Sequence, residues 1–427
     1  MFFLAYNILS IFLFVPVFLF NIFRSIKLGW PLAAAERFGF VPRSTLAKIA
    51  GRPVIWLHAV SVGEALAARP LLKALRTRYP GHAIVVTNTT ETGKTAASGF
   101  PEVDLCLYFP FDFLLSVRIM LRSVKPRIII IMETEIWPNF SREAARNYIP
   151  LVLANGRISD RSFTRYLKFS WFFRPPLRCF SAICMQSEIG RERITAIGAY
   201  PDKVRVTGNL KNDIPSRQVS EEERRQLRNR YSIPDDCCVL TAGSTRDGEE
   251  QHIIAAYKEL SATIGTLFLV LVPRHPERAG DVAALLEGAM VQYRKRSTLS
   301  NEHQLKPGEV LLVDTVGELM NLYALADIAF VGGSLAPLGG HNLLEPASVG
   351  IPSVFGPHMA NFREIEALVL QYGAGIQIHH PDELTSACQT LITSSELRRI
   401  LGQNGLKLLR DNSGATERHM DVITRYL

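Results

Sequence analysis

Residues 53–88 read PVIWLHAVSVGEALAARPLLKALRTRYPGHAIVVTN, and the order of patterns within this stretch decides the fold. PVIWLHAV (53–60) and AIVVTN (83–88) are short apolar runs rich in β-branched residues, as in strands covered on both faces. Between them Ala65–Arg78 carries its apolar residues at helical spacing. Strand, helix and strand in this order form a βαβ unit, which builds a parallel sheet.

The same alternation continues outward. VDLCLYF (103–109), RIIIIM (127–132), PLVLAN (150–155), AICMQS (182–187) and VRVTGN (204–209) read as further strands, with helical periodicity in Phe111–Val124. The charged segment DIPSRQVSEEERRQLRNRYSIPDD (213–236) interrupts the pattern as a partly helical linker. A second series follows: CCVLTAG (237–243), TLFLVLV (266–272), EVLLVD (309–314), DIAFVGG (327–333), IPSVFG (351–356) and AGIQIH (374–379). The expected fold is α/β, with two doubly wound halves, 24–212 and 237–427, facing a cleft. The helical stretch Glu396–Leu427 is expected to close back over the first half.

The 427 residues suit two or three domains, and 47% apolar with 21% charged residues excludes a mostly disordered chain. A net charge of +8 favours anionic partners: phosphates, nucleic acid or an acidic membrane face. Lys and Arg are dispersed and no recognition motif is present, so nucleic acid is not expected. The six cysteines are scattered, without a C-x-x-C pair or zinc spacing, which fits reduced thiols and no metal.

Met1–Phe23 holds no charged residue, and at about 1.5 Å per residue such a run can span a hydrocarbon core of about 30 Å. Arg24 and Lys27 follow it, unlike the order in a cleaved signal peptide. Residues 1–23 are therefore expected to be a membrane anchor, spanning in preference to lying on the surface. The positive-inside rule leaves the rest of the chain in the cytoplasm. Asn7, Pro16 and Asn21 interrupt the run, so a buried or interfacial helix is the alternative.

Ligands of open parallel sheets gather beyond the carboxyl ends of the strands. After the first strand, Ser61 and Glu64 have the spacing of a capping box; Glu64 could equally serve as a general base at the cleft, with Gly63 admitting a substrate to the backbone. After the fourth, Glu133 and Glu135 are either first-turn acids before Pro138 or carboxylates facing positive charge at a reacting carbon. Lys211 is a solvated charge or a cation facing a departing phosphate.

In the second half Gly243-Ser244-Thr245 could offer a phosphate its N–H groups and hydroxyls, although neither a Walker A loop nor G-x-G-x-x-G is present. Arg274, braced by Pro273 and Pro276, suits a phosphate or a structural ion pair. Thr315-Val316-Gly317-Glu318 is a second possible capping box or a nucleotide loop. GGSLAPLGGHNLLEP (332–346) is the strongest ligand-binding stretch: its glycines let backbone approach a ligand, and Asn342 and Glu345 suit ribose hydroxyls and a phosphate.

Together HAVSVGE (58–64), METEIWPN (132–139), GNLKND (208–213), AGSTRDGEE (242–250), PRHPER (273–278), VDTVGEL (313–319) and GGSLAPLGGHNLLEPA (332–347) closely resemble the 3-deoxy-D-manno-octulosonic acid (Kdo) transferases of Gram-negative lipopolysaccharide assembly. The resemblance runs from about residue 30 to 427 and includes an apolar leader. It implies a GT-B glycosyltransferase with two Rossmann-like domains, the first for acceptor and the second for nucleotide sugar. It also implies the donor CMP-Kdo, the lipid A precursor lipid IVA as acceptor, and inversion at the cytoplasmic side of the inner membrane.

By position in the motifs, Glu64 is implied as general base, and Glu133 and Lys211 as transition-state stabilisers. CMP would be held by Pro273 and Arg274, by Thr315, Val316 and Gly317, and by Asn342, Leu343, Leu344 and Glu345. No D-x-D pair sits at the motif loops, so neither metal nor other cofactor is expected. The rival readings are a GT-B transferase using a UDP-sugar and a membrane-tethered nucleotide-binding protein without catalysis.

Overall fold

The computed structural model describes residues 2–29, 33–214, 216–299, 304–306 and 308–427. Met1 of the expected anchor, residues 30–32 of the expected first half, Pro215 of the expected linker, and residues 300–303 and 307 of the second half lie outside the described residues. The chain divides into two units, residues 1–213 with 414–427, and residues 214–413.

The first unit holds β1 (Val54–His58), β2 (Ala83–Asn88), β3 (Leu105–Tyr108), β4 (Pro126–Met132), β5 (Leu151–Gly156), β6 (Ala182–Met185) and β7 (Val204–Val206). All pairings are parallel and the order is β3-β2-β1-β4-β5-β6-β7. Alternate residues feed opposite faces: Trp56, Ile129 and Ile131 pack on one side, Ile55, Leu57, Ile128 and Ile130 on the other. Burial on both faces explains why these strands are continuous apolar runs. The order reverses between β1 and β4, so the loops after those strands flank the crevice where doubly wound sheets bind ligands.

The second unit repeats the plan with β8 (Cys238–Thr245), β9 (Leu267–Pro273), β10 (Tyr293–Lys295), β11 (Val310–Leu312), β12 (Ile328–Val331), β13 (Ser353–Phe355) and β14 (Gly375–Gln377). Their order is β10-β11-β9-β8-β12-β13-β14, with the reversal between β8 and β12. The edge strand β10 is three residues of Tyr-Arg-Lys, without the apolar run that marks its neighbours, and sequence reading passes over it. Residues 216–236, read from sequence as linker, form a wall of this unit. Its helix Glu221–Arg230 buries Leu227, and Arg228 Nη2 pairs with Asp327 at 2.9 Å.

The final helical stretch is shared: Ser395–Asn412 lies in the second unit, whereas Ala415–Ile423 packs Ala415, Met420 and Ile423 into the first.

The expectation of a membrane-spanning anchor needs correction. Phe2–Leu28 is one helix, but among the described residues no helix is long and apolar enough to cross a membrane. The helix is also packed on the first unit along one face. Tyr6 donates to Asp112 at 2.8 Å, Asn139 donates to Asn7 at 3.0 Å, and Phe14 meets Phe113 edge-on with centroids 5.2 Å apart. The opposite face exposes Leu4, Ile8, Ile11, Phe12, Leu19, Phe23 and Ile26.

Candidate active site

Both capping and catalysis were open for Glu64, and the cap is present. Ser61 is the N-cap of helix Val62–Arg78, its Oγ accepting from Glu64 N at 3.4 Å, while Glu64 Oε2 accepts from Val60 N at 2.8 Å. The carboxyl is largely removed from water. Burial, reinforced by the neighbouring charges of Glu133 and Glu135 and opposed by the Val60 and Ser61 hydrogen bonds, pushes its pKa up to about 7. A carboxylate titrating near neutrality can accept a proton from a substrate hydroxyl, which an ordinary surface glutamate does poorly.

Glu133 follows β4 across the switch point, and its backbone is left-handed at φ 55°. Its N–H is held by Ala154 O at 2.8 Å. That conformation costs roughly 1 kcal/mol or more for a non-glycine residue, and such residues concentrate at functional sites. Glu133 Oε1 lies 3.3 Å from Lys211 Nζ, and both side chains remain partly exposed. Lys211 is placed by Asn155: the buried Asn155 Oδ1 accepts from Leu210 N at 2.9 Å, and Asn155 itself stands at φ 57°. The Asn155 N–H in turn donates to His419 Nε2 at 3.0 Å, so the C-terminal helix supports the loop that carries Lys211.

In the second unit the expected donor loop Gly243-Ser244-Thr245 lies elsewhere than anticipated. All three residues are buried at the end of strand β8, so they form no open loop before a helix. Gly243 is required because a Cβ there would collide with the Tyr323 phenol. The loop that follows supplies Glu249, whose fully buried carboxylate accepts N–H groups from Arg246 (3.0 Å), Gly333 (2.7 Å), Ser334 (2.9 Å), Leu335 (2.8 Å) and Ala336 (3.3 Å). The backbone nest at the start of the glycine-rich stretch is therefore filled by the protein's own carboxylate. A ligand anion must bind beside it.

The neighbouring cations supply that place. Arg274 is exposed at the end of β9, its N–H held by Thr245 O at 3.0 Å, and among the described residues no carboxylate pairs with its guanidinium. Arg246 Nη1 lies 2.7 Å from His275 Nε2. His341 is discharged, its pKa lowered to about 4 by burial and then by Arg274, Arg246 and His275. The cationic field that adds to burial in discharging His341 attracts an anion. Burial raises Glu345, with Arg274 opposing the shift.

Asn342 Oδ1 accepts from Leu344 N at 3.1 Å, leaving its amide N–H₂ for a ligand. Leu343 and Leu344 are fully buried in the core, so only their backbone can meet one. Thr315 Oγ1 donates to Glu318, while Val316 is 84% exposed and Gly317 stands at φ 87° in open space, which makes 315–317 an accessible loop.

The family described as 3-Deoxy-D-manno-octulosonic-acid transferase (kdotransferase) matches residues 33–214. The chain is 36% identical to a 3-deoxy-D-manno-octulosonic acid transferase of Haemophilus influenzae over 92% of this chain and 91% of that one. The chain belongs to this family. A second Kdo transferase, from Bordetella pertussis, is 32% identical over 93% of this chain and 92% of its own. Among solved structures, a glycosyltransferase from Rickettsia africae superposes with a TM-score of 0.51 over 88% of this chain and 98% of that one, at 13% identity. The likeness shows the GT-B fold and nothing finer.

Within this Kdo transferase, Glu64, Glu133 and Lys211 are gathered at the carboxyl edge of the first sheet. Pro273, Arg274, Asn342 and Glu345 lie with Arg246 and His341 at the carboxyl edge of the second. Sequence reading missed Glu249, Arg246 and Asn155. The first two lie inside the motif AGSTRDGEE, but their partners are backbone groups or residues from another strand end. Asn155 closes a strand of ordinary apolar composition, and nothing local signals its role. Among the described residues no group of three or more His, Cys, Asp and Glu side chains could hold a metal ion.

Proposed function

We propose that this Kdo transferase moves Kdo from CMP-Kdo to the lipid A precursor lipid IVA, with inversion, in lipopolysaccharide assembly. The first unit takes the acceptor and the second the nucleotide sugar. Glu64 removes the proton from the acceptor hydroxyl as its oxygen forms a bond to the anomeric carbon. The bond from that carbon to the phosphate oxygen breaks, and its electron pair leaves with CMP. Lys211 and Glu133 stabilise the charge that develops between the two partners, while Arg274, the 315–317 loop, Asn342 and Glu345 hold CMP. The single observation carrying this reading is a half-buried, capped Glu64 with its pKa pushed up to about 7 at the switch point of the first sheet.

Cationic side chains suffice to neutralise a departing monophosphate, so the chemical step is assigned no metal. Activity should survive EDTA, and its complete loss would overturn that assignment. The outward apolar row of the N-terminal helix and the net charge of +8 support attachment to the cytoplasmic face of an inner membrane rich in anionic lipid.

The test is mass spectrometry of the lipid after incubating protein with CMP-Kdo and tetraacylated lipid A precursor, beside Glu64→Gln. A gain of one or more Kdo masses in the native protein alone is the expected result. An unchanged lipid, with CMP still protecting the protein against heat and UDP not doing so, would send the acceptor assignment back to revision.

A further inference from the structure

The first unit contains a cavity of about 310 Å³ that none of the transfer chemistry above uses. Its walls are Leu9 of the N-terminal helix, Phe109, Pro110, Phe111 and Phe113 of the loop after β3, and Trp137 beyond β4. It opens at the carboxyl edge of the first sheet, where Thr89 follows β2, Phe109 follows β3, and Glu64 and Glu133 stand after β1 and β4.

Most polar groups on its lining are already engaged within the protein, the buried Trp137 indole N–H being the exception. Tyr6 donates to Asp112 Oδ2 at 2.8 Å, and the Asp112 carboxylate also accepts the N–H groups of Asn139 (3.0 Å) and Phe140 (2.8 Å). Ser10 donates to Asn7 O at 2.8 Å. Arg37 donates to Thr89 O at 2.8 Å and lies over the Tyr108 ring at 4.4 Å. A sugar, phosphate or nucleotide entering here would exchange water for an aromatic wall with little hydrogen bonding in return. A hydrocarbon chain would lose nothing and would remove apolar surface from water on both sides.

We propose that this cavity is the seat of a fatty acyl chain of the acceptor lipid. The inference rests on the transfer reading for the identity of the acceptor, but occupation of the cavity does not depend on transfer. Two faces of the N-terminal helix then do different things: Leu4, Ile8, Leu19 and Phe23 face outward, Tyr6 and Ser10 line the cavity, and Leu9, itself 53% exposed, stands at its rim between the two. An acyl chain drawn from the bilayer beneath this helix would bring its headgroup to the strand edge that carries Glu64.

The test uses full-length protein in phosphatidylcholine vesicles with dodecanoic acid bearing a terminal photoreactive diazirine. After irradiation and digestion, mass spectrometry locates the label. The expected result is labelling of the 109–113 segment and Trp137, reduced about tenfold in Leu9→Trp, which fills the cavity, and unchanged in Leu19→Trp on the outward face of the same helix. Tetraacylated lipid A precursor should displace the label, and its fully deacylated glycan should not. Label confined to the outward row, equal in both variants, would overturn the proposal. So would label in the cavity that the acylated precursor fails to displace, because the occupant would then be bulk lipid. Should Leu9→Trp loosen the helix, Ser10→Phe fills the same space from the next position. If the protein labels and releases as expected but adds no Kdo, the cavity stands and the transfer reading falls.

Discussion

Glu133 Oε1 and Lys211 Nζ are 3.3 Å apart, although 78 residues separate them in sequence. Both side chains keep part of their surface in water, and Glu133 is held in a left-handed backbone conformation to reach the pair. An exposed ion pair of this kind contributes at most about 1 kcal/mol to stability, less than the backbone strain and side-chain ordering it requires. Its value is therefore chemical. Lys211 also moderates the negative field that Glu133 casts on Glu64.

Lys211→Ala tests that dual part. Removal of a preorganised cation next to developing charge should lower kcat about 100-fold or more, with a much smaller change in KM for CMP-Kdo. Glu133, left without its partner, would further raise the Glu64 pKa, so the acid limb of the pH profile should move to higher pH. Steady-state kinetics across pH check both, and an unchanged kcat would exclude the role.

Glu64 fixes the pH dependence itself. With the carboxyl at about 7, it is protonated and unable to act below that value, so kcat/KM should climb through about pH 7 and then level. The stability effect has the opposite direction. Burial favours the protonated form, so that stabilisation is present in acid and is lost as pH rises through about 7. Glu64→Gln should abolish turnover and, in denaturant titrations, gain stability relative to the native protein at pH 8 but not at pH 4.

How far the sequence reaches can be judged from these same residues. Among the described residues thirteen of the fourteen strands are legible as apolar runs, most of them because burial on both sheet faces leaves no room for polar alternation, although β7 and β14 are only partly buried. Tyr293–Lys295 escaped because an edge strand of three residues needs no such run. Ser61 and Glu64 were legible because a capping box is local. Glu249 and Asn155 were not, because their hydrogen-bond partners lie 84 to 87 and 55 residues away. The N-terminal helix misled in another way: composition reports that Met1–Phe23 is apolar, but not that Tyr6, Asn7 and Phe14 are already packed on protein.

Arg274 should act mainly on the donor. Its guanidinium has no carboxylate partner among the described residues, so Arg274→Ala should raise KM for CMP-Kdo roughly 10- to 100-fold, consistent with loss of one charge-assisted contact, and leave the acceptor KM unchanged. Bound phosphate would also relieve the cationic field on His341 and raise its pKa from about 4. CMP binding should accordingly take up protons near pH 5, measurable by calorimetry in buffers of different ionisation enthalpy, and His341→Asn should remove that uptake.

Glu249 gives the sharpest prediction about stability. Its carboxylate satisfies N–H groups of Arg246, Gly333, Ser334, Leu335 and Ala336 at a site without solvent exposure. Glu249→Ala strands these donors, and each unsatisfied buried donor costs about 1–3 kcal/mol before water enters to relieve it. A net loss of about 3 kcal/mol, or roughly 6–12 °C in the melting of a unit this size, is expected. Glu249→Gln should recover only part of it, since an amide turns an N–H₂ toward the same donors and keeps one acceptor oxygen. Because Gly333 and His341 belong to one glycine-rich loop, whose Gly340 N–H is held by Gly333 O at 2.7 Å, loosening the nest should also loosen the cation cluster. Thermal unfolding with and without CMP separates the two consequences: both variants should melt earlier and lose most of the shift that CMP confers. A variant that melts early but keeps the full CMP shift would show that the nest supports the fold without ordering the nucleotide site.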